Sequence, residues 1–298
     1  MTAVEQAPSS ADARLAEQME LIITARLAKN QLVVPPMSQV AVKCLALIRK
    51  PDMSLREVAA LIECDPVMTA QLMRAANSAA LATREPARSV LQSVTRMGAQ
   101  HVTTFLVEVS ARKVFESRDQ RIAEACRAVW EHSVAVAILT REVVTLAQGS
   151  DPELGYLAGL LHDVGKPIVA AMLLEAEKSV TGNKPSARWI QSSTWIQVIQ
   201  RVHRRVGVEL AEKWQLPDPL RDAIRDCAEY DSANRESIAN AVRFANALAK
   251  RAGIYAGDVA SDDVEALIMI GRSLLRIEDG VPEKLIHGLR ERVQQQIG

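Results

Sequence analysis

Apolar residues recur every three or four positions along almost the whole chain, for example in REVAALIE (56–63) and PVMTAQLMRAAN (66–77). This spacing places them on one face of an amphipathic helix. No stretch alternates apolar and polar residues between turn signals, which is the pattern of a half-buried strand. The sequence therefore predicts an all-α fold.

Prolines, glycines and capping residues divide this pattern into short helices. Pro35-Pro36 predicts an extended segment, followed by a helix over residues 38–48. Residues 54–57 (SLRE) have the capping-box pattern, and Asp-Pro at 65–66 predicts another helix start. Gly98 is expected to join two helices within 90–115. Helices this short must turn back on one another, so the sequence predicts a globular bundle.

The second half of the chain begins with a long helix, expected from about 121 to 147, and a shorter one over 154–163. Residues 164–167 (VGKP) are expected to interrupt the pattern, and TGNKPS (181–186) is a predicted loop. Further helices are predicted at 189–200, 204–214, 216–226 and 236–253, with two shorter ones after them.

A charged break at residues 116–120 (ESRDQ) predicts a boundary between two subdomains. An N-terminal helical lobe would cover about 28–117, and a core about 118–255. Residues 1–27 would be a lead-in with the first helix, and 256–298 would form C-terminal helices.

The charge balance argues against nucleic-acid binding. Lysine and arginine together number 36, as do aspartate and glutamate, and aromatic residues make up only 3% of the chain. Nucleic-acid-binding proteins carry a basic excess, and those that bind single strands expose aromatic rings for stacking.

The first residues, MTAVEQAPSSADAR, lack the apolar region of a secretory signal. No uncharged apolar run approaches the roughly 18–20 residues that a membrane helix needs. The four cysteines show no C-x-x-C pair and are expected to be free thiols. We therefore expect a cytoplasmic protein without a membrane partner.

AGLLHDVGK (158–166) is the stretch with the clearest candidate chemistry. Adjacent helical residues diverge by about 100°, so His162 and Asp163 could reach one ion only where a helix closes into a loop. Gly165 is expected to provide that loop. A His-Asp pair in this position is typical of a metal-dependent phosphohydrolase.

Two further residues could complete such a site. His132 lies in a predicted helix among apolar residues, so it is either a hydrogen-bonded core residue or a metal ligand. Lys166, one turn beyond His162, could hold a phosphate or protonate a leaving group, or it could only stabilise the end of a helix. The sequence contains no nucleophile elbow, P-loop or dinucleotide-binding glycine motif.

His203 lies among Arg201, Arg204 and Arg205. These arginines could form an anion-binding patch, since a guanidinium fork matches a phosphate group. They could equally belong to a solvated helix face, which is the more common role of a run of charges.

Two stretches together resemble the HDOD domain, a branch of the HD superfamily found in bacterial signalling proteins. The first is VPPMSQVAVKCLALIRKPDMSLREVAALIECDPVMTAQLMRAANSA (34–79). The second combines WEHSVAVA, LAGLLHDVGK and VGVELAEKWQLPDPLRDAI (206–224). The resemblance covers roughly residues 25–255. It implies a helical bundle with an HD-type core and an additional N-terminal helical lobe.

The resemblance also implies a ligand set. HD enzymes hold metal with a His, a His-Asp pair and a distant Asp, and the first three positions match His132, His162 and Asp163. The last position carries Asn246, and residues 226–229 (DCAE) stand where a related phosphodiesterase branch has a His-His pair. His203 does match a histidine of that branch, so only part of the ligand set is lost.

We therefore expect a non-catalytic signalling module that acts through protein–protein interaction or ligand sensing, with no cofactor other than a weakly bound divalent metal. The alternative is an HD-type phosphohydrolase acting on a nucleotide or cyclic dinucleotide, with Lys166 as its catalytic residue. A third hypothesis is nucleotide binding without hydrolysis. The predicted ligand-binding residues are Lys166, Arg201, His203, Arg204 and Arg205. Expected partners are signalling proteins, with nucleotides or cyclic dinucleotides as further ligands.

Overall fold

The computed structural model describes residues 10–29, 34–78, 85–147, 149–181, 193–257 and 261–297. In these ranges the chain forms α-helices and no β-strand, which confirms the all-α prediction. The helices are α1 (Ser10–Ala28), α2 (Gln39–Ile48), α3 (Leu55–Glu63), α4 (Pro66–Ala76), α5 (Val90–Val114), α6 (Gln120–Ala147), α7 (Pro152–Leu161), α8 (Gly165–Thr181), α9 (Ser193–Lys213), α10 (Asp218–Asp226), α11 (Ile238–Arg251), α12 (Ser261–Leu275), α13 (Val281–Ile286) and α14 (Leu289–Ile297).

The chain divides into two compact units. Residues 35–113 form the smaller unit, which holds α2 to α4 and nearly all of α5. Residues 1–34 and 114–298 form the larger unit, so α1 and the C-terminal helices α12 to α14 belong to the same unit as α6 to α11.

Side chains cap two of the three helices α2, α3 and α4, and of these two caps the one at Asp65 was predicted. The Ser38 hydroxyl accepts a hydrogen bond from the Ala41 amide at 3.1 Å. The Asp65 carboxylate accepts hydrogen bonds from the second and third amides of α4, each at 3.0 Å. Both satisfy backbone donors that would otherwise have no partner in the first turn.

The predicted capping box at residues 54–57 is wrong. Ser54 does precede α3, but its side chain makes no capping hydrogen bond. Its carbonyl oxygen accepts the first helical hydrogen bond, from the Val58 amide at 3.1 Å. In α5 the predicted junction is confirmed, because Gly98 has a φ of 71°, a left-handed conformation that breaks the helix.

The core of the larger unit lies where α6, α7 and α11 pack together. Almost every residue of α7 is buried, as are the middle of α6 and most of α11. Helices α8 and α9 pack against each other, and α10 packs on α7, α9 and α11. Helix α1 packs on α9, α12 on α11, and α14 on α6.

The break between α7 and α8 comes earlier than predicted. Helix α7 ends at Leu161, and α8 begins at Gly165, so the turn consists of residues 162–164. Pro167 lies in the first turn of α8, where its missing N–H has no helical partner to lose. Gly165 and Pro167 therefore begin a helix, and the His-Asp pair itself forms the turn.

Gly165 is needed for a close helix contact and not for the turn. A β-carbon at this position would overlap the backbone carbonyl of His203 on α9. Gly159 has a similar role between α7 and α6, because a β-carbon there would lie 2.7 Å from the carbonyl oxygen of Val136. These two glycines bring three histidine-bearing helices close to the same point.

Other boundaries also differ from the prediction. The segments predicted at 189–200 and 204–214 join in one helix, α9, within the residues the structure describes. In the described residues after α11 there are three helices, not two. All but the first residue of the predicted TGNKPS loop lies outside the described residues.

The stretch Pro152–Ala176 is long and apolar enough to cross a membrane, judged by length and composition alone. In the structure 78% of its apolar window is buried, and the turn between α7 and α8 interrupts it. Buried core helices can have the same length and composition, and α7 and α8 are core helices.

We predict that Gly165→Ala lowers the free energy of unfolding by about 3 kcal/mol, because backbone atoms must move to admit a methyl group. Urea unfolding of purified protein measures this. Gly207→Ala on the facing helix is the matched control: its β-carbon would meet a side-chain methyl of Ile224 at 3.1 Å. The control should change stability by no more than about 1 kcal/mol, because the helix propensity of alanine offsets the tight contact. Equal losses in both variants would contradict the close-contact role of Gly165.

Candidate functional site

A His-Asp centre forms where α7 ends. His162 caps α7, Asp163 follows it, and His132 reaches them from the middle of α6. The Nε2 atom of His162 lies 3.3 Å from Oδ2 of Asp163, and that of His132 lies 3.9 Å from the same oxygen. All three side chains are buried. The structure therefore brings together the three residues that the sequence proposed as metal ligands.

Backbone carbonyls orient these imidazoles. The Nδ1 atom of His132 lies 2.7 Å from the carbonyl oxygen of Ile254, and that of His162 lies 2.7 Å from the carbonyl oxygen of Gly159. A carbonyl oxygen can only accept, so each Nδ1 carries a hydrogen, and in a neutral ring the Nε2 would then keep its lone pair. Metal-binding histidines are fixed in the same way.

His203 on α9 is a fourth member of the centre. Its Nε2 lies 3.3 Å from Oδ1 of Asp163, and its Nδ1 faces the carbonyls of Ile199 and Gln200 at 3.0 and 2.9 Å. The side chain is only 1% exposed. The solvated-face interpretation is therefore wrong for this residue.

A sequence signal for the burial of His203 existed. Val206 and Leu210 follow it at spacings of three and seven, so the histidine belongs to the apolar stripe of α9. The arginines beside His203 interrupt that stripe in the sequence, which makes the segment resemble a charged, solvent-exposed face.

The arginines around His203 separate onto different faces. Arg201 and Arg205 are exposed and contact α1, where Arg201 pairs with Glu20 at 3.4 Å and Arg205 donates to the Thr24 hydroxyl at 3.0 Å. Arg204 is half-buried, and its charge acts on His203. Only Arg204 of the three therefore lies near the His-Asp centre.

Lys166 completes the centre from the first turn of α8. Its Nζ lies 2.6 Å from Oδ2 of Asp163. Burial acts to raise the pKa of the Asp163 carboxyl, but His162 and the Lys166 ammonium outweigh it and hold that pKa well below its usual range. Asp163 is therefore a carboxylate, and its charge is compensated by an ion pair within the chain.

The two flanking histidines remain neutral. Burial, followed by the repulsion of His162, lowers the pKa of His132 to about 3. Burial also lowers the pKa of His203, against the opposing pull of Asp163. A neutral imidazole with an inward lone pair is the form that binds a metal ion.

Asn246, the residue that the resemblance places last in the HD ligand set, lies on α11. Asn246 has a buried Oδ1 without a hydrogen-bond partner among the described residues. Cys227, at the end of α10, is buried, and burial raises the pKa of its thiol. A neutral amide and a protonated thiol thus stand where the resemblance expects further ligands.

The donor set fits a transition-metal ion. The inward nitrogen and oxygen atoms of His132, His162 and Asp163 all lie within 4.8 Å of one another. Ligands of one tetrahedral ion lie about 3.4 Å apart, close to the distance between His162 and Asp163. The Nε2 of His162 has no hydrogen-bond partner in the described part of the chain. These residues could hold a metal ion, which would polarise a bound water or phosphate, but Lys166 competes with it for Asp163.

Comparisons with known proteins agree with this fold. A family model described as the HDOD domain matches residues 34–230. An uncharacterized protein of Treponema pallidum is 24% identical over 216 residues, which are 72% of this chain and 41% of that protein. The chain therefore spans less than half the length of this curated relative.

Two solved structures share the fold. A Shewanella amazonensis protein with the name "Putative metal-dependent phosphohydrolase" has a TM-score of 0.70 at 19% identity, over 93% of this chain and 99% of that one. An HDOD domain protein with unknown function from Geobacter sulfurreducens has a TM-score of 0.63 at 20% identity, over 93% and 98% of the two chains. Because the family model matches more than half of the sequence, we conclude that this chain belongs to the HDOD domain family.

Proposed function

We propose that this protein is a non-catalytic regulatory module, which senses a ligand or a partner protein in a bacterial signalling pathway. The observation that carries this proposal is the ion pair between Lys166 and Asp163, at 2.6 Å. The ammonium already supplies the positive charge that the buried carboxylate requires. The centre can therefore hold its helices together without a metal ion.

Charge supports the proposal further. The centre contains three imidazoles and a single carboxylate, and α11 offers the neutral amide of Asn246. Divalent ions that act on phosphoesters depend strongly on anionic oxygen ligands. Once Lys166 has paired with Asp163, no net negative charge remains to attract such an ion.

The alternative is an HD-type phosphohydrolase acting on a nucleotide or cyclic dinucleotide. The unpartnered Nε2 of His162 favours it, because a buried lone pair aimed at a carboxylate is what a metal ion would satisfy. His132, His162 and Asp163 would hold the ion, and Lys166 would turn towards the phosphate. The name of the Shewanella protein points the same way.

The proposal extends to organisation and partners. We infer an HDOD domain over residues 28–255, with a lobe of about 28–117 and an HD-like core of about 118–255. Its partners would be signalling proteins of the cytoplasm, and its ligands nucleotides or cyclic dinucleotides. The free cysteines, of which only Cys64 is exposed among those described, agree with a reducing compartment.

Hydrolysis assays separate the two functions. We predict that the purified chain shows no turnover of cyclic dinucleotides or of a generic phosphodiester when Mn²⁺ is added. Product formation is followed by chromatography. Turnover that disappears in His162→Ala would overturn the proposal, because that variant removes a ligand without touching Lys166.

Restoring a carboxylate tests why turnover is absent. Asn246→Asp should raise Mn²⁺ affinity, measured by calorimetry, by about tenfold or more, since one anionic ligand is added. Asn234→Asp, in the exposed loop before α11, is the matched control and should leave affinity unchanged. Equal affinities of the wild type and Asn246→Asp would place residue 246 outside the ligand set.

Acid should destabilise the metal-free protein in a defined window. His132 has a pKa of about 3 in the fold and about 6.5 when unfolded, so below pH 6.5 the unfolded chain binds more protons. Unfolding free energy should fall by about 1.4 kcal/mol per pH unit for each such imidazole. The loss begins near pH 6.5, whereas protonation of Asp163 adds a further loss only below its unfolded pKa, near pH 4.

Urea unfolding in the presence of chelator, between pH 7 and 4.5, measures this slope. His132→Asn should reduce it by about one proton. An unchanged slope in that variant would mean that His132 is protonated in the folded protein.

A further inference from the structure

Four positively charged side chains gather at the His-Asp centre, and all but Lys166 are additional to those that the centre itself uses. Arg243 and Lys250 lie on α11 seven residues apart, with Asn246 between them, so the three share one face of the helix. Arg204 on α9 and Lys166 on α8 are the other two cations.

Contacts at the end of α10 hold the two arginines in place. Arg243 donates through Nη1 to the carbonyl oxygens of Cys227 and Ala228, and its guanidinium lies 5.2 Å from the ring centre of Tyr230. The Arg204 guanidinium also acts on the Cys227 thiol. Both arginines therefore converge on the end of α10.

These cations share one electrostatic environment. Burial lowers the pKa of Lys250, and the charges of Lys166, Arg243 and Arg204 lower it further. Asp163 is the carboxylate that opposes this repulsion. Its negative charge is already paired with Lys166, so the remaining three cations have no anion to balance them within this group.

Hydrogen-bond donors also remain unused. The Nε atoms of Arg204 and Arg243 are buried and have no hydrogen-bond partner in the ranges that the structure describes. Arg204, Arg243 and Lys250 are each half-buried, so solvent reaches part of every side chain. Partly buried cations that lack a counter-ion are costly for a fold, and an anionic ligand would lower that cost.

We propose that Arg204, Arg243 and Lys250, with Lys166 at their edge, bind the phosphate groups of a phosphorylated small molecule. The inference rests on the proposed function, because it assigns residues that bind the phosphate groups of the ligand that the regulatory module senses. Two guanidinium groups and two ammonium groups suit several oxygens of a di- or polyphosphate better than one carboxylate. Of the arginines predicted from the sequence, only Arg204 belongs to this site.

Binding of pyrophosphate to the full chain tests the proposed site. Pyrophosphate is added in the presence of a chelator and at constant ionic strength. Phosphorus NMR of pyrophosphate reports binding through line shifts and cleavage through the appearance of orthophosphate. We expect saturable binding without cleavage. We expect Lys250→Gln to weaken binding about tenfold, the effect of losing one charge-assisted contact, and Lys250→Arg to restore most of it.

Two controls separate a binding role from a structural one. Lys284→Gln removes an exposed lysine of α13 and should leave binding unchanged. Lys250→Gln should unfold at the same or a higher urea concentration than the wild type, because it removes mutual repulsion. Weaker binding in a variant that is as stable as the wild type therefore supports the site.

The outcomes distinguish the inference from the proposed function. No saturable binding by the wild type, or equal binding by Lys250→Gln, overturns the phosphate site and leaves the non-catalytic role standing. Binding of pyrophosphate in the presence of the chelator supports the site. If orthophosphate is released once the chelator is replaced by Mn²⁺, the non-catalytic role is overturned.

Discussion

The larger unit depends on the interactions of one buried group, the carboxylate of Asp163. The Nζ atom of Lys166 lies 2.6 Å from this carboxylate, and the Nε2 atoms of His162 and His203 each lie 3.3 Å from it. These groups come from the α7–α8 turn, α8 and α9, and His132 adds α6. Removing one partner of such a buried ion pair leaves an uncompensated charge, which typically costs about 3–5 kcal/mol.

The same carboxylate explains how a metal-centre geometry and a non-catalytic role can coexist. The imidazoles are oriented by backbone carbonyls, and those of His132 and His203 remain neutral, as metal ligands would be. The charge around them is nevertheless positive, because Lys166, Lys250 and two arginines face one aspartate. A group of charges with this balance favours the binding of an anion over the binding of a metal cation.

Much of the fold followed from the sequence, since apolar spacing and caps depend on neighbouring residues. The His-Asp pair at a helix end was predicted for the same reason. Features that depend on packing between distant segments were missed or misread. The role of Gly165 depends on the close approach of α9, which the local sequence does not reveal. The place of Lys250 among the cations depends on the packing of α11 beside α7. His203 was recoverable from its place in the apolar stripe of α9.

Unfolding with and without a chelator tests the central claim most directly. Protein purified without chelator is unfolded in urea before and after EDTA treatment, and its metal content is measured by mass spectrometry. If Lys166 supplies the charge that Asp163 needs, the metal content will be well below one ion per chain and EDTA will leave the unfolding free energy unchanged. One tightly bound ion per chain, with a loss of several kcal/mol on its removal, would contradict the account.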